Sequence, residues 1–201
     1  MPKIRLATHN DIDVLNSLIQ GSVRGLSQAE YSSEEIEGGL NEVFGVDTQL
    51  IQDETYYVME NDANVIVACG GWSKRKTLYG GNQFAGREDD LLTPGTDAAK
   101  IRAFFVHPDH ARHGYGRELL THCEQQAVMN GFLSFEMMAT LPGVKLYEKC
   151  GYRKEDTQTQ RPLSNGRMLG FFKMKKEDCR TEETALTSLK MSNHECHQAG
   201  L

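Results

Sequence analysis

The segment FFVHPDHARHGYGRELL, residues 104–120, constrains the fold more than any other stretch of this chain. An apolar run stops at Pro108, a short loop carries Gly114 and Gly116, and Leu119 and Leu120 open an amphipathic pattern. Proline has no N–H for a strand ladder, and glycines ahead of a 3.6-residue apolar period mark a helix start. The segment therefore reads strand, loop, helix. A dinucleotide fingerprint needs a third glycine where Leu119 stands, and a P-loop needs Lys followed by Ser or Thr where Arg117 and Glu118 stand. Both motifs are excluded. What remains is a helix start whose first N–H groups have no acceptor within the helix and whose glycines place no Cβ in the way, an arrangement suited to phosphate.

The rest of the chain limits what that junction can serve. Its 201 residues, 39% of them apolar, suit one domain with a buried core, and a net charge of −6 argues against nucleic acid or an anionic membrane as partner. No apolar run approaches the ~20 residues needed to span a bilayer, and the first residues carry charges where a signal peptide needs an apolar stretch. These features predict a soluble, cytoplasmic protein. Five cysteines without a CxxC pair do not make a disulfide framework or a zinc ribbon, and no metal is expected.

Strands and helices alternate on both sides of the junction. KIRLAT (residues 3–8) has apolar residues at every second position, as a half-buried strand does. Thr8 and Asp11 form a capping signal, and Ile12, Leu15 and Ile19 make a helical stripe. SSEEIEGGL predicts a second helix capped by Ser33, with Glu34 and Glu35 at its positive end. TYYVME (residues 55–60) and VIVACGGW (residues 65–72), joined by NDAN, read as an antiparallel hairpin. Residues 73–99 lose all periodicity, and a loop of that length in a compact domain serves as a lid or binding loop. KIRAFFV (residues 100–106) is the strand leading into the junction, and the helix after it, residues 116–130, buries Leu119, Leu120, Cys123 and Ala127 before Gly131 ends it. LSFEMM (residues 133–138) predicts the next strand, VKLYEKC a short helix ended by Gly151, and residues 152–175 a final hairpin through SNG. Residues 177–201 read as a polar, flexible tail, in which His194, Cys196 and His197 make no metal site without structured partners.

FFVHPDHARHGYGRELL resembles the acyl-CoA-binding segment of the GNAT acetyltransferase superfamily, in which a strand, the pattern Gln/Arg-x-x-Gly-x-Gly/Ala and a helix receive the pyrophosphate of acetyl-CoA. LPGVKLYEKCGY is similar to that family's later helix, and the two motifs stand in the family's order. The resemblance implies an α/β (α+β) domain over residues 1–176: a mixed, mostly antiparallel twisted sheet flanked by helices and splayed between its two central parallel strands. It implies an acetyl-CoA-dependent N-acetyltransferase acting by direct attack of an amine, with a small-molecule amine as partner and room for a homodimer. Phe104, Phe105 and Val106 would pair with the pantetheine arm, and Arg112, His113, Gly114, Tyr115, Gly116 and Arg117 would wrap the pyrophosphate. Tyr147 matches the family's tyrosine that protonates the departing thiolate.

Three positions depart from the family. Ala111 stands where Gln or Arg is usual, Arg102 stands where some relatives place an acidic base, and Thr140 replaces an asparagine while keeping a hydroxyl for the cofactor. Glu136 becomes the candidate base. His107, His110 and His113 flank a proline turn and read as surface residues, and Cys123 and Cys150 as packing residues, which disfavours a covalent cysteine route. Between Arg24 and Lys74 there is no lysine or arginine, while ten carboxylates, among them Glu34, Glu37, Glu42, Asp47 and Asp53, give that segment a charge of −10. An acidic cleft would attract a cationic amine, and a solvated acidic helix face explains the same charge. Two rival functions stay open: an acyl-CoA-binding sensor without catalysis, and acetylation of protein lysines or N-termini.

Overall fold

The computed structural model describes residues 2–177; the predicted tail, with His194, Cys196 and His197, lies outside the described residues. Seven strands form one sheet in the order β1-β2-β3-β4-β5-β7-β6. They are β1 (Lys3–Leu6), β2 (Tyr56–Glu60), β3 (Ile66–Ser73), β4 (Ala99–Val106), β5 (Ser134–Thr140), β6 (Arg153–Pro162) and β7 (Met168–Glu177). Every pairing is antiparallel except β4 with β5. The mixed, mostly antiparallel sheet with a central parallel pair is the predicted fold class.

Five helices cover the sheet: α1 (Ile12–Leu26), α2 (Ser33–Glu42), α3 (Thr48–Gln52), α4 (Tyr115–Met129) and α5 (Val144–Lys149). On one face Leu15, Leu18, Ile19 and Val23 of α1 join Ile36, Leu50 and Ile51 in a core closed against Val58 and Cys69 of the sheet. On the other face Leu119, Leu120, Cys123 and Ala127 of α4, the predicted stripe, pack with Val144 and Tyr147 of α5 against Phe135, Met137 and Ala139. β5 alternates buried and half-buried residues, so its Phe135, Met137 and Ala139 serve one face while Glu136, Met138 and Thr140 turn to the other.

Local chemistry explains the element ends. The backbone N–H and hydroxyl of Thr8 both donate to Asp11 Oδ2, at 2.7 and 2.9 Å, and Arg5 clasps the same carboxylate. The cap of α2 is Ser32, one residue before the predicted Ser33: its Oγ accepts the Glu35 N–H, and Glu35 accepts the Ser32 N–H at 2.7 Å. Both serines precede a glutamate, but only Ser32 has Glu35 three residues on, the spacing a reciprocal cap requires. The short helix α3 was not predicted, because five residues carry too little periodicity to reveal one. Gly131 and Gly151 hold positive φ, 87° and 91°, where α4 and α5 end.

Candidate active site

β4 and β5 are paired only at Ala99 with Phe135 and Lys100 with Glu136; beyond that they part. Three residues beyond the last pair, β4 is irregular. Its pairing with β3 shifts between Cys69 and Gly71, and Ala103 sits at φ 57°, a left-handed conformation uncommon outside glycine. The carbonyl of Ala103 accepts a 3.3 Å hydrogen bond from the buried Tyr56 hydroxyl, which helps hold the bulge. Opposite it, Gly70 leaves space for Phe104: a Cβ there would lie 2.8 Å from three ring atoms.

The gap holds a cavity of about 70 Å³. Of the predicted residues, Phe104, Phe105, Thr140 and Tyr147 line it, together with Arg102. Sequence reasoning missed the rest of the wall: Val43 to Gly45 after α2, Leu78 to Gly81 of the long loop, Met137 and Met138 of β5, and Phe171 of β7. No local pattern marks these positions, since they come from four separate elements. Through Leu78 to Gly81 the long loop covers one side of the cavity. Lys76, Thr77 and Leu92 tie its two arms by backbone bonds to Asp90, Glu88 and Lys74, and Gly81 and Asn82 dock on Val43 and Val46. A second cavity, about 280 Å³, adjoins the first at Phe44 and Gly45 and is lined by Asn16, Gln20 and Arg24 of α1 with Asn41 and Gln83.

Arg102 is 4% exposed and its partners bind the cover to the sheet. Its Nη2 donates to the Gly80 carbonyl at 2.6 Å and lies 2.7 Å from Asp47 Oδ2, a buried ion pair. Arg87 of the long loop reaches the other Asp47 oxygen at 3.0 Å. Burial pulls the Arg102 pKa down from its usual value while Asp47 opposes it.

Tyr147 is buried on α5, edge to face with Tyr152 at 6.0 Å. Burial, with the nearby Cys150, pushes its hydroxyl pKa well above the ordinary tyrosine value. Glu136 does not line the cavity. It makes a close ion pair with Lys100 and another with Lys173 at 3.1 Å; burial works to raise its pKa, and the two lysines overcome that and lower it. A carboxylate held ionised in this way is a weak proton acceptor, which removes the physical basis for Glu136 as the base.

The segment between β4 and α4 lies at the far end of β4. Arg112 (φ 64°) and Gly114 (φ 89°) are both left-handed, and a Cβ on Gly114 would meet nothing within 4 Å. The N–H groups of Tyr115, Gly116 and Arg117 open α4 without helical acceptors, at the positive end of the helix. Gly116 also serves packing: a Cβ there would sit 3.3 Å from Leu146 Cδ2 and 3.6 Å from Val106 Cγ2, so its smallness seats α4 against α5 and β4. The Val106 N–H donates to Ser22 Oγ at 3.3 Å, leaving less of that residue's backbone open than of Phe104. His113 stacks on Tyr115 at 6.0 Å, with His110 beside both. Among the described residues no group of three His, Cys, Asp or Glu is placed to hold a metal ion.

The acidic segment is mostly engaged. Glu37 pairs with Arg24, Asp53 with Arg75, Glu60 with Arg5, Asp47 with two arginines, and Glu42 takes the Ser164 hydroxyl and N–H. None of the residues lining either cavity is a carboxylate.

The family model described as an acetyltransferase (GNAT) domain matches residues 52–154. No curated protein sequence matches the chain. Among solved structures, a GCN5-related N-acetyltransferase from Rhodopseudomonas palustris superposes with a TM-score of 0.63 at 19% identity over 88% of this chain and 96% of that one. The PaiA N-acetyltransferase of Thermoplasma acidophilum, solved with coenzyme A, gives 0.60 at 17% over 88% and 99%. A ribosomal-protein-alanine N-acetyltransferase from Brucella melitensis gives 0.56 at 15% over 87% and 99%. At these identities the likeness establishes a shared fold. No helix among the described residues is long and apolar enough to cross a membrane.

Proposed function

This chain belongs to the GNAT superfamily of acetyltransferases, and from that premise we propose that it moves an acetyl group from acetyl-CoA to the amine of a small acceptor by direct attack on the thioester carbonyl. The observation that carries the reading is the parting of β4 and β5 beyond Lys100 and Glu136, with a cavity at the gap and a glycine-led helix start at the end of β4. The residues present fit acetyl-CoA. An edge of β4 is open to an extended, amide-bearing arm, and the loop before α4 presents unpaired N–H groups to a pyrophosphate.

When bound, acetyl-CoA supplies an acetyl group already activated as a thioester. In this reading the main chain of Phe104 and Phe105, and the carbonyl side of Val106, hold the pantetheine arm. Arg112, His113, Gly114, Tyr115, Gly116 and Arg117 hold the pyrophosphate, chiefly through N–H groups, and Thr140 offers its hydroxyl to the cofactor. Tyr147, kept protonated by burial, donates its hydroxyl proton to the departing thiolate, and the proton that the attacking nitrogen sheds as the amide forms returns to the phenolate. The attacking amine must be neutral, and no carboxylate lines the cavity to take its proton. The amine therefore enters deprotonated from solution, and turnover rises with pH as the acceptor loses its proton. The proposal takes residues 1–176 as one catalytic domain of a cytoplasmic enzyme.

Thiol release from acetyl-CoA across a panel of amines tests the reading. Turnover of at least one amine above the hydrolytic background is the expected result. Tight acetyl-CoA binding with no amine turned over makes the chain a sensor instead.

A further inference from the structure

The outer of the two cavities, about 280 Å³, is walled by side-chain amides. Asn16, Gln20 and Arg24 stand four residues apart on α1 and so share one helix face, and they line the cavity with Asn41 of α2 and Gln83 of the long loop. Ile19 and Phe44, both buried, and Leu40, packed on the same core, give it an apolar base. Among the described residues Arg24 is the only charged group in the wall, and all three of its guanidinium nitrogens are engaged: Nε and Nη2 with Glu37 at 2.7 and 2.8 Å, Nη1 with Gln20 Oε1 at 3.1 Å. Those contacts also set what the amides offer. Gln20 has given its oxygen to Arg24 and keeps its NH2 as a donor, while Gln83 gives its NH2 to the Phe44 carbonyl at 2.9 Å and keeps its oxygen as an acceptor. Asn16 and Asn41 have no side-chain hydrogen bond among the described residues, so each offers both. Gly45 permits the arrangement, since a Cβ there would lie 2.8 Å from the Gln83 amide.

A polyamine finds no carboxylate in this wall, and a carboxylate finds no free cation. A peptide pairs through main-chain groups, and the carbonyls of Phe44 and Leu40 are already met by Gln83. A sugar ring matches the wall better: its hydroxyls both donate and accept, as the four amides do, and its C–H face suits Ile19, Leu40 and Phe44. The cavity holds about nine waters' worth of ligand at ~30 Å³ each, enough for one hexose ring. The two cavities meet at Phe44 and Gly45, which line both, so an amine on that ring can face the inner one. An amine beside hydroxyl-bearing carbons is also a weaker base than a polyamine, which suits a site without a carboxylate to take its proton.

We propose that the acceptor is an amino sugar, held in the outer cavity by Asn16, Gln20, Asn41 and Gln83 with its amine toward the inner cavity. This rests on the acetyltransferase reading above and narrows its substrate class. The nitrogen forms an amide with the acetyl carbon as the C–S bond breaks, losing one proton while the sulfur gains one, and the products are an N-acetyl sugar and the free thiol of CoA.

The test compares D-glucosamine, cyclohexylamine, trialanine and spermidine as acceptors, with thiol release from acetyl-CoA as the readout and each rate counted on the neutral amine. Counting in that way removes basicity, so cyclohexylamine reports the loss of the sugar's oxygens. The expected result is a kcat/KM for glucosamine about tenfold or more above the other three, the factor that two neutral hydrogen bonds command. In the double variant Asn16→Ala, Asn41→Ala the ratio of glucosamine to cyclohexylamine falls about tenfold, and the melting temperature does not drop because alanine is the better helix former at both positions. A ratio left intact by the double substitution, or cyclohexylamine turned over as fast as glucosamine, overturns the proposal. Faster turnover of trialanine makes the cavity a peptide site, and of spermidine a polyamine site; either overturns it while the acetyltransferase reading stands. No turnover of any amine by a protein that binds acetyl-CoA overturns both.

Discussion

Lys100 and Glu136 form the last cross-strand pair of β4 and β5, joined by an ion pair, and one residue further on the strands are no longer bonded to each other. Lys173 of β7 completes the group at 3.1 Å from Glu136. The site's opening therefore starts at a charged latch that fixes how far the sheet stays closed.

Replacing Glu136 with Gln leaves Lys100, 8% exposed, without its counter-charge. The expected loss is about 2–3 kcal/mol in urea unfolding at pH 7, below the value for a fully buried pair because both groups keep some solvent. Glu136 has a depressed pKa in the folded state, so its contribution is present above the unfolded carboxylate range and disappears as pH falls through the folded value. Wild-type and E136Q stabilities should converge on acidification, and a constant gap from pH 7 to pH 3 contradicts the latch.

Asp11 offers a second, independent check on the same linkage. Its hydrogen bond with Arg5, against burial and with help from Thr8, lowers its pKa from 3.8 to about 2. The depressed value means that its stabilisation is complete above pH 4 and is lost between about pH 4 and pH 2. Asp11→Asn should melt earlier than wild type at pH 7 and together with it near pH 2, as thermal melts across that range will read.

Tyr147→Phe tests the proton donor. Chemistry should slow by about a hundredfold in kcat, the lower end for loss of a positioned acid, with acetyl-CoA binding changed by less than a few-fold. Stopped-flow single turnovers and calorimetric binding separate the two. An unchanged kcat assigns Tyr147 to packing alone.

Gly114→Asp and Gly114→Asn share the strain of a left-handed residue, on the order of 1 kcal/mol, and differ only in charge. The Asp variant should bind acetyl-CoA about a hundredfold more weakly than the Asn variant at low salt, with the gap shrinking as salt is added. Equal binding by the two variants removes the pyrophosphate from this loop.

The legible parts of the chain were those whose physics is local. The stripe of Leu119, Leu120, Cys123 and Ala127, the Thr8 and Asp11 cap, and the alternation in β5 follow from periods of 3.6 and 2 and from hydrogen bonds three residues apart. Where two local solutions competed, at Ser32 and Ser33, the choice turned on a single residue's spacing to Glu35. Gly116 shows the limit of motif reading: its place in the motif speaks of a ligand alone, and the packing neighbours that also require its smallness, Leu146 and Val106, are 30 and 10 residues away in sequence.

The charges were the least legible. Ten carboxylates between Arg24 and Lys74 suggest an acidic cleft as long as partners are unknown, and folding assigns four of them to Arg5, Arg24, Arg75, Arg87 and Arg102. By itself the sequence determined the order of strands and helices, the family, and the residues from Phe104 to Arg117 that lie along one strand and one helix start. Only the tertiary structure decided which of those groups share a cavity, that the cavity's charged residue is Arg102, and that Glu136 faces two lysines. The reason is physical: periodicity and capping act over a few residues, whereas burial and ion pairing are set by elements that meet only when the sheet closes.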